Sequence, residues 1–242
     1  MSLVSPAQID GYTRRATTSN VPGILSPALW VRSDVGVTLD GSNNVQSWLD
    51  LSGNGNNVTQ ATAANRPPLV TNQINGWPSV RLNTSDGVTF LNHPLGAVAS
   101  NFTIWAVVSA GQPSLGAYQC LYGNSAGVTF ATFNGASGQP WGIYLNAPIS
   151  STKIITSAGD SAYHSITVIV GSTSGTITFS TDGVITTATG SGAYTANAGT
   201  IGGGNTAQPF DGHLAELAVW NRQLASTEVQ LLESYALARY GV

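Results

Sequence analysis

The chain has 242 residues, 8 of them basic and 11 acidic, for a formal net charge of −3. Charged residues make up 8%, against roughly 25% in an average soluble domain. That excludes a helical bundle, whose surface leans on Glu and Lys, and it excludes nucleic acid as a partner, because phosphate binding needs a basic stripe.

Residues 1–23 show no hydrophobic period and read as an N-terminal arm ending at the breaker Val21-Pro22-Gly23. Tyr12, Arg14 and Arg15 are its candidate assembly contacts. The arm has no apolar stretch of signal-peptide length, so the expectation is a protein not exported by a standard signal. No run anywhere approaches the ~18 apolar residues of a membrane span, and no membrane partner is expected. Residues 24–242 read as one domain, and 42% apolar residues are enough to give it a sizeable core. Cys120 is alone, so no intrachain disulfide can form and the fold must stand on packing.

From Ser26 onward the pattern is strands and turns. Phe102–Ala110 is a β-branched and aromatic run with partial alternation, the mark of a central strand. Residues 128–133 and 141–145 suggest a pair across a Gly/Ser/Pro loop, and Tyr163–Val170 is another strand. Thr176–Thr181 and Val184–Thr189 flank Asp182-Gly183, a strong hairpin signal. Residues 214–220 read as a late strand, with Glu216 either facing away from its apolar neighbours or buried and paired. One helix follows. Ser226 is the expected cap, Val229, Leu232 and Ala236 share a face, Arg239 stands in the last turn and Gly241 stops it. One short C-terminal helix after so many strands predicts an all-β fold, a two-sheet antiparallel β-sandwich of jelly-roll type.

Several patterns bear on chemistry. Gly123-Asn124-Ser125-Ala126-Gly127 matches a nucleophile elbow in letters, but a strand follows it where a helix is needed, so it reads as a hairpin loop. His93, His164 and His213 stand far apart with no partner at metal-ligand spacing, and Gly202-Gly203-Gly204 lacks the lysine and helix of a phosphate loop. Asp50, Ser52 and Asn54 occupy positions 1, 3 and 5 of a calcium-type loop, with Gly55 at position 6. Position 12 is Ala61, not a glutamate, so any calcium there is held weakly. The alternative is that Asp50, Asn54 and Asn56 satisfy their own turn backbone. Trp30, Trp48, Trp105 and Trp220 fall within strands and are expected in the core. Trp77, Tyr118 and Trp141 fall in turns or beside loops. They are the candidates for stacking a sugar ring or, alternatively, for covering a sheet edge or a subunit contact.

Ordered motifs carry a family resemblance: 29–34 (LWVRSD), 45–56 (VQSWLDLSGNGN), 65–68 (NRPP), 74–82 (INGWPSVRL), 215–224 (AELAVWNRQL) and 238–242 (ARYGV). Over about residues 26–242 the chain resembles the laminin-G-like modules of the concanavalin A-like lectin/glucanase superfamily. Such modules include lectins, glycosidases and structural parts of bacterial surfaces and phage heads or tails. The resemblance implies the sandwich, a place for a surface glycan, and a prior for calcium at Asp50, Ser52 and Asn54. Trp77 departs from the family's usual polar residue. The Glu-x-Asp-x-x-Glu strand of glucanase-type members is missing, so no catalytic residue is expected. Together with the single cysteine, low charge and absent signal, this predicts a non-enzymatic phage virion component, located in the particle: a capsid decoration, head-fibre or tail protein. Its expected partners are other virion subunits, with a homo-oligomer, taken as a trimer, assembled through the arm. The alternative expectation is a carbohydrate-binding module for cell-surface glycans.

Overall fold

The structure, a computed structural model, describes residues 20–82, 88–96, 98–99, 101–110, 120–123, 129–132, 142–144, 161–171, 176–189, 195–196, 199–203 and 209–242. Tyr12, Arg14, Arg15, Tyr118 and Trp141 lie outside them. In order, the described elements are α1 (Val21–Ile24), β1 (Leu29–Arg32), β2 (Val37–Leu39), β3 (Val45–Trp48), β4 (Val58–Thr59), β5 (Leu69–Ile74), β6 (Trp77–Leu82), β7 (Leu91–Asn92), β8 (Val98–Ala99) and β9 (Phe102–Ala110). They continue with β10 (Tyr122–Gly123), β11 (Thr129–Thr132), β12 (Gly142–Tyr144), β13 (Tyr163–Val170), β14 (Thr176–Thr181), β15 (Val184–Thr189), β16 (Thr195–Ala196), β17 (Thr200–Ile201), β18 (Gly212–Trp220) and α2 (Ser226–Tyr240).

Sixteen of the eighteen described strands form two eight-stranded antiparallel sheets, and β8 and β16 pair in a separate two-stranded one. The first runs β15-β14-β13-β9-β18-β6-β5 with β1 added beside β18, and the second runs β12-β11-β10-β17-β7-β4-β3-β2. The predicted sandwich with a C-terminal helix is therefore what forms. Leu29, Phe102, Ile104, Val108, Ile166, Val168, Phe179 and Leu217 of the first sheet meet Val45, Trp48, Tyr122 and Ile201 of the second in one core. The outer face of the first sheet carries another core. There Trp105, Val107 and Trp220 pack against Val229, Leu232, Tyr235 and Ala236 of α2. Strand β9 thus lies buried on both faces, which is why its sequence alternates only partly. The four strand tryptophans are in these cores as expected, Trp48, Trp105 and Trp220 with no exposed surface.

Local chemistry accounts for the joints. Asp182 and Gly183 both take positive φ, 49° and 80°, the mirror-image turn that matches strand twist in a two-residue hairpin. Helix α2 corrects one expectation. Ser226 lies inside the helix and Ala225 holds the cap position, so no side-chain oxygen caps the start. Instead the Glu228 carboxylate turns back and accepts the Ala225 N–H at 2.8 Å. Gly241 ends the helix as predicted, at φ 81°, donating its N–H to the Leu237 carbonyl at 3.1 Å. Val21-Pro22-Gly23, read as a breaker, instead belongs to one helical turn, α1, with Val21 buried in the outer core. Proline fits there because the first turn of a helix has no partner for its missing N–H.

Candidate functional site

Strand β1 pairs with the last strand: Leu29 lies opposite Val219 and Arg32 opposite Glu216. That pairing brings the segment before β1 against the turn after β18. The loop that follows β3 closes on the same place. Asp50 organises this loop. Its Oδ1 accepts the N–H of Trp30 (3.0 Å) and of Ser52 (2.9 Å). Its Oδ2 accepts the Ser52 hydroxyl (2.7 Å) and the Asn56 N–H (2.9 Å). Asn54 Nδ2 donates to the Pro27 carbonyl at 2.9 Å, and Asn56 Nδ2 to the Ala28 carbonyl at 2.7 Å. Asp50, Ser52 and Asn54 are thus brought together, as the calcium reading requires, but each faces hydrogen-bond donors or donates itself. The geometry matches the alternative in which the loop satisfies its own turn. Among the described residues no group of three or more His, Cys, Asp or Glu side chains gathers at one point.

The loop leaves a shallow cleft of about 450 Å³ at this end of the sandwich. Ser26, Pro27 and Ala28 form one side, Asn54 and Asn56 another, and Asn221 and Arg222 a third, with Leu95 among the lining residues. Leu95 is 8% exposed and belongs to the inter-sheet core, so the cleft has an apolar patch continuous with that core. The Asn amides spend their N–H groups on backbone carbonyls, while their Oδ1 atoms accept nothing from the described residues. Asn221 is exposed. Arg222 is held in a bidentate pair with Glu228, at 2.7 and 2.8 Å, and also donates to the Leu25 carbonyl at 3.1 Å. The hydrogen bonds to Glu228 push the Arg222 pKa up and the Glu228 pKa down. The cleft therefore presents amide groups and an already neutralised cation beside an aliphatic patch. Such a surface can bind hydroxyl groups. Among the described residues that line it there is no pair of carboxylates ~5–9.5 Å apart such as glycoside hydrolysis needs.

Trp77 and Glu216 make contacts that hold the fold together. Trp77 is half-buried against the outer core. The Arg239 guanidinium lies 3.7 Å from its ring centroid, and its Nε1 donates to the Arg239 carbonyl at 3.2 Å. One ring face is occupied, and Trp77 fastens the end of α2. Arg239 in turn pairs with Asp34 at 2.7 Å, and Asp34 with Arg32 at 2.7 Å. Glu216, with no exposed surface, accepts Trp30 Nε1 at 2.6 Å, the Tyr235 hydroxyl at 2.8 Å and the Tyr240 hydroxyl at 2.7 Å. It is the buried, paired residue of the two alternatives, and it ties β1, β18 and α2 together. Burial pushes its carboxyl up, against the pull of the hydrogen bonds from Tyr240, Trp30 and Tyr235.

Ser79 Oγ lies 2.9 Å from His213 Nδ1, the spacing of a nucleophile and its base, with the Tyr163 hydroxyl donating to Ser79 at 3.0 Å. Ser79 has no exposed surface, however, so no substrate reaches it. Burial, with Arg81 nearby, lowers the His213 pKa to about 4. His93, 6% exposed, stacks on Tyr122 at 4.6 Å with an interplanar angle of 8°, and neither ring nitrogen has a hydrogen-bond partner among the described residues. Burial lowers its pKa to about 4.

The sandwich, the helix-backed sheet and the rim cleft define a lectin-like module. Residues 82–230 match the laminin-G-like family model of the concanavalin A-like lectin/glucanases superfamily, and the chain belongs to that superfamily. Among curated proteins no sequence matches it. Solved structures resemble it in fold alone. The binding domain of botulinum neurotoxin serotype D is similar at TM-score 0.58 and 12% identity, over 93% of this chain and 53% of that one. The same domain in complex with N-acetylneuraminic acid gives 0.57 and 9%, over 90% and 52%. Trypanosoma rangeli sialidase with the inhibitor DANA gives 0.54 and 13%, over 96% and 39%. The chain thus spans about half, or less, of the structures it resembles.

Proposed function

We propose that this chain is a non-enzymatic, glycan-binding sandwich module and a structural component of a phage particle. The observation that carries the first part is the rim cleft: Asn54 and Asn56, whose amide oxygens accept from none of the described residues, an exposed Asn221 and the Leu95 side chain line one shallow concavity. Hydroxyl groups of a sugar suit the amides, and its C–H face suits Leu95. The preferred ligand is uncharged, because the Arg222 guanidinium is already matched by Glu228. Among the described residues that line the cleft there is no acid–base pair, which supports binding without turnover. The particle role is supported by the polar, strand-forming composition with 8% charge and a single cysteine. A glycan array tests the binding. Neutral glycans should be retained by the wild type and released by the double variant Asn54→Ala with Asn221→Ala. Signal unaffected by the double variant would remove the cleft from the account, and hydrolysis of any retained glycan would contradict its non-enzymatic character. Detection of the chain in gradient-purified particles tests the virion role, and its absence from them would refute that role.

A further inference from the structure

A second cavity, of about 170 Å³, lies on the outer face of the first sheet, between β13, β14 and the start of α2. The turn after β18 divides it from the rim cleft: Asn221 and Arg222 line the cleft, whereas Gln223, Leu224 and Ser226 line this cavity. Strand alternation supplies its hydroxyl groups. Ile177 and Phe179 point into the inter-sheet core, so Thr178 and Ser180 face outward, and Thr167 shares the outward face of Ile169. Buried Ile169, Leu224 and Val229 give the cavity an apolar wall. Two of the hydroxyls lead to a carboxylate. Ser180 Oγ donates to Glu233 Oε1 at 3.2 Å, and Thr167 Oγ1 lies 3.5 Å from the same oxygen. Glu233 stands one helical turn beyond Val229 on the same face of α2. It is partly buried, and burial pushes its carboxyl up, against the pull of the hydroxyl hydrogen bonds. Among the described residues no cation pairs with it. The charge that acts on it, Asp182, has the same sign and is itself bound to His164 Nδ1 at 2.6 Å. Glu228, by contrast, is matched by Arg222.

We propose that this cavity is a second binding site and that it takes a short primary alkylammonium, with the ammonium at Glu233 and the alkyl chain against Ile169, Leu224 and Val229. Size, lining and charge select this ligand. An apolar cavity of about 150 Å³ holds benzene, so this one has room for about six or seven non-hydrogen atoms. The apolar wall suits methylene groups. An ammonium brings three N–H donors to the Glu233 carboxylate and to the hydroxyl oxygens beside it, and it supplies the missing counter-charge. A carboxylate ligand would set a like charge against Glu233, and an alcohol would leave that charge unmatched. The site is separate from the rim cleft and does not depend on glycan binding there.

Titration of the labelled full chain with n-pentylamine at neutral pH, followed by two-dimensional NMR, tests this directly. Shifts should centre on Ile169, Ser180, Leu224 and Val229 and should saturate. Pentan-1-ol, of the same length without the charge, should bind at least about tenfold more weakly, and pentanoate should not shift these residues. Glu233→Gln keeps the side chain's shape and an acceptor oxygen while removing the charge. It should weaken the amine by about tenfold or more and leave the alcohol unchanged. Thr178→Phe fills the cavity, should abolish binding of both, and repeats the test should Glu233→Gln fail to fold. Asn54→Ala with Asn221→Ala, in the rim cleft, should leave amine binding intact. An unchanged spectrum, shifts centred elsewhere, equal affinity for amine and alcohol, undiminished amine binding in a folded cavity variant, or its loss in the rim-cleft variant would each overturn the proposal.

Discussion

His93 offers a quantitative test of how burial sets stability. Its ring stacks on Tyr122 with both nitrogens lacking hydrogen-bond partners among the described residues, and burial holds its pKa at about 4, against 6.5 in the unfolded chain. Because the folded value is the lower one, the unfolded state takes up the proton first. The contribution of neutral His93 is therefore complete above pH 6.5, falls as the pH drops through 6.5, and levels off near pH 4. At pH 5 the difference amounts to about 2 kcal/mol, at 1.36 kcal/mol per pH unit. His93→Phe keeps a flat ring against Tyr122 and removes the unpaired nitrogens. At pH 7.5 it should stabilise the fold by about 1–3 kcal/mol, the usual cost of an unsatisfied buried polar group. At pH 5 the advantage should grow by about 2 kcal/mol. The assay is urea unfolding of wild type and variant at both pH values, with the difference between them cancelling the titration of the carboxylates. An advantage that stays constant from pH 7.5 to 5 would refute the reasoning, as would a variant less stable than wild type at both.

Other outcomes follow from the same geometry. Glu216→Ala strands the Trp30, Tyr235 and Tyr240 donors inside the outer core and should cost about 3–5 kcal/mol in urea unfolding, the range for breaking a buried charged network. Trp77→Ala removes the stacking partner of Arg239 and should lower stability by about 1–3 kcal/mol, less than truncating a fully buried aromatic because the ring is only half-buried, while glycan binding is retained. Because Asp50 already receives four hydrogen bonds, the thermal midpoint in EDTA should equal that in millimolar calcium, and a rise with calcium would restore the metal reading of this loop.

Much of the frame is legible in local chemistry. Strands β9 and β13 are β-branched runs, and the Asp182-Gly183 hairpin follows from the positive φ that these two residues tolerate. The helix start is legible to within one residue. The missing cap is not, because it depends on Glu228 turning back to Ala225. The cleft escapes a linear reading for a stronger reason. Its walls come from residues 26–28, 54–56, 95 and 221–222, and they meet only because β1 pairs with β18 across most of the chain's length. Asn54 was visible as one member of a loop motif. Asn221 and Arg222 stood in a recognisable terminal motif that gave no hint of the surface they join. Trp77 looked available because its neighbours Asn75 and Gly76 form a turn, yet the group that covers it, Arg239, lies at the other end of the sequence.

The most direct test of the account is to locate the sugar. Two-dimensional NMR of the labelled chain, titrated with the neutral glycan best retained on the array, reports which amides respond. Shifts should centre on Ala28, Asn54, Asn56, Leu95 and Asn221, and should vanish in the Asn54→Ala, Asn221→Ala double variant. Shifts centred on any other surface, or an unchanged spectrum at saturating glycan, would contradict the assignment of the rim cleft as the binding site.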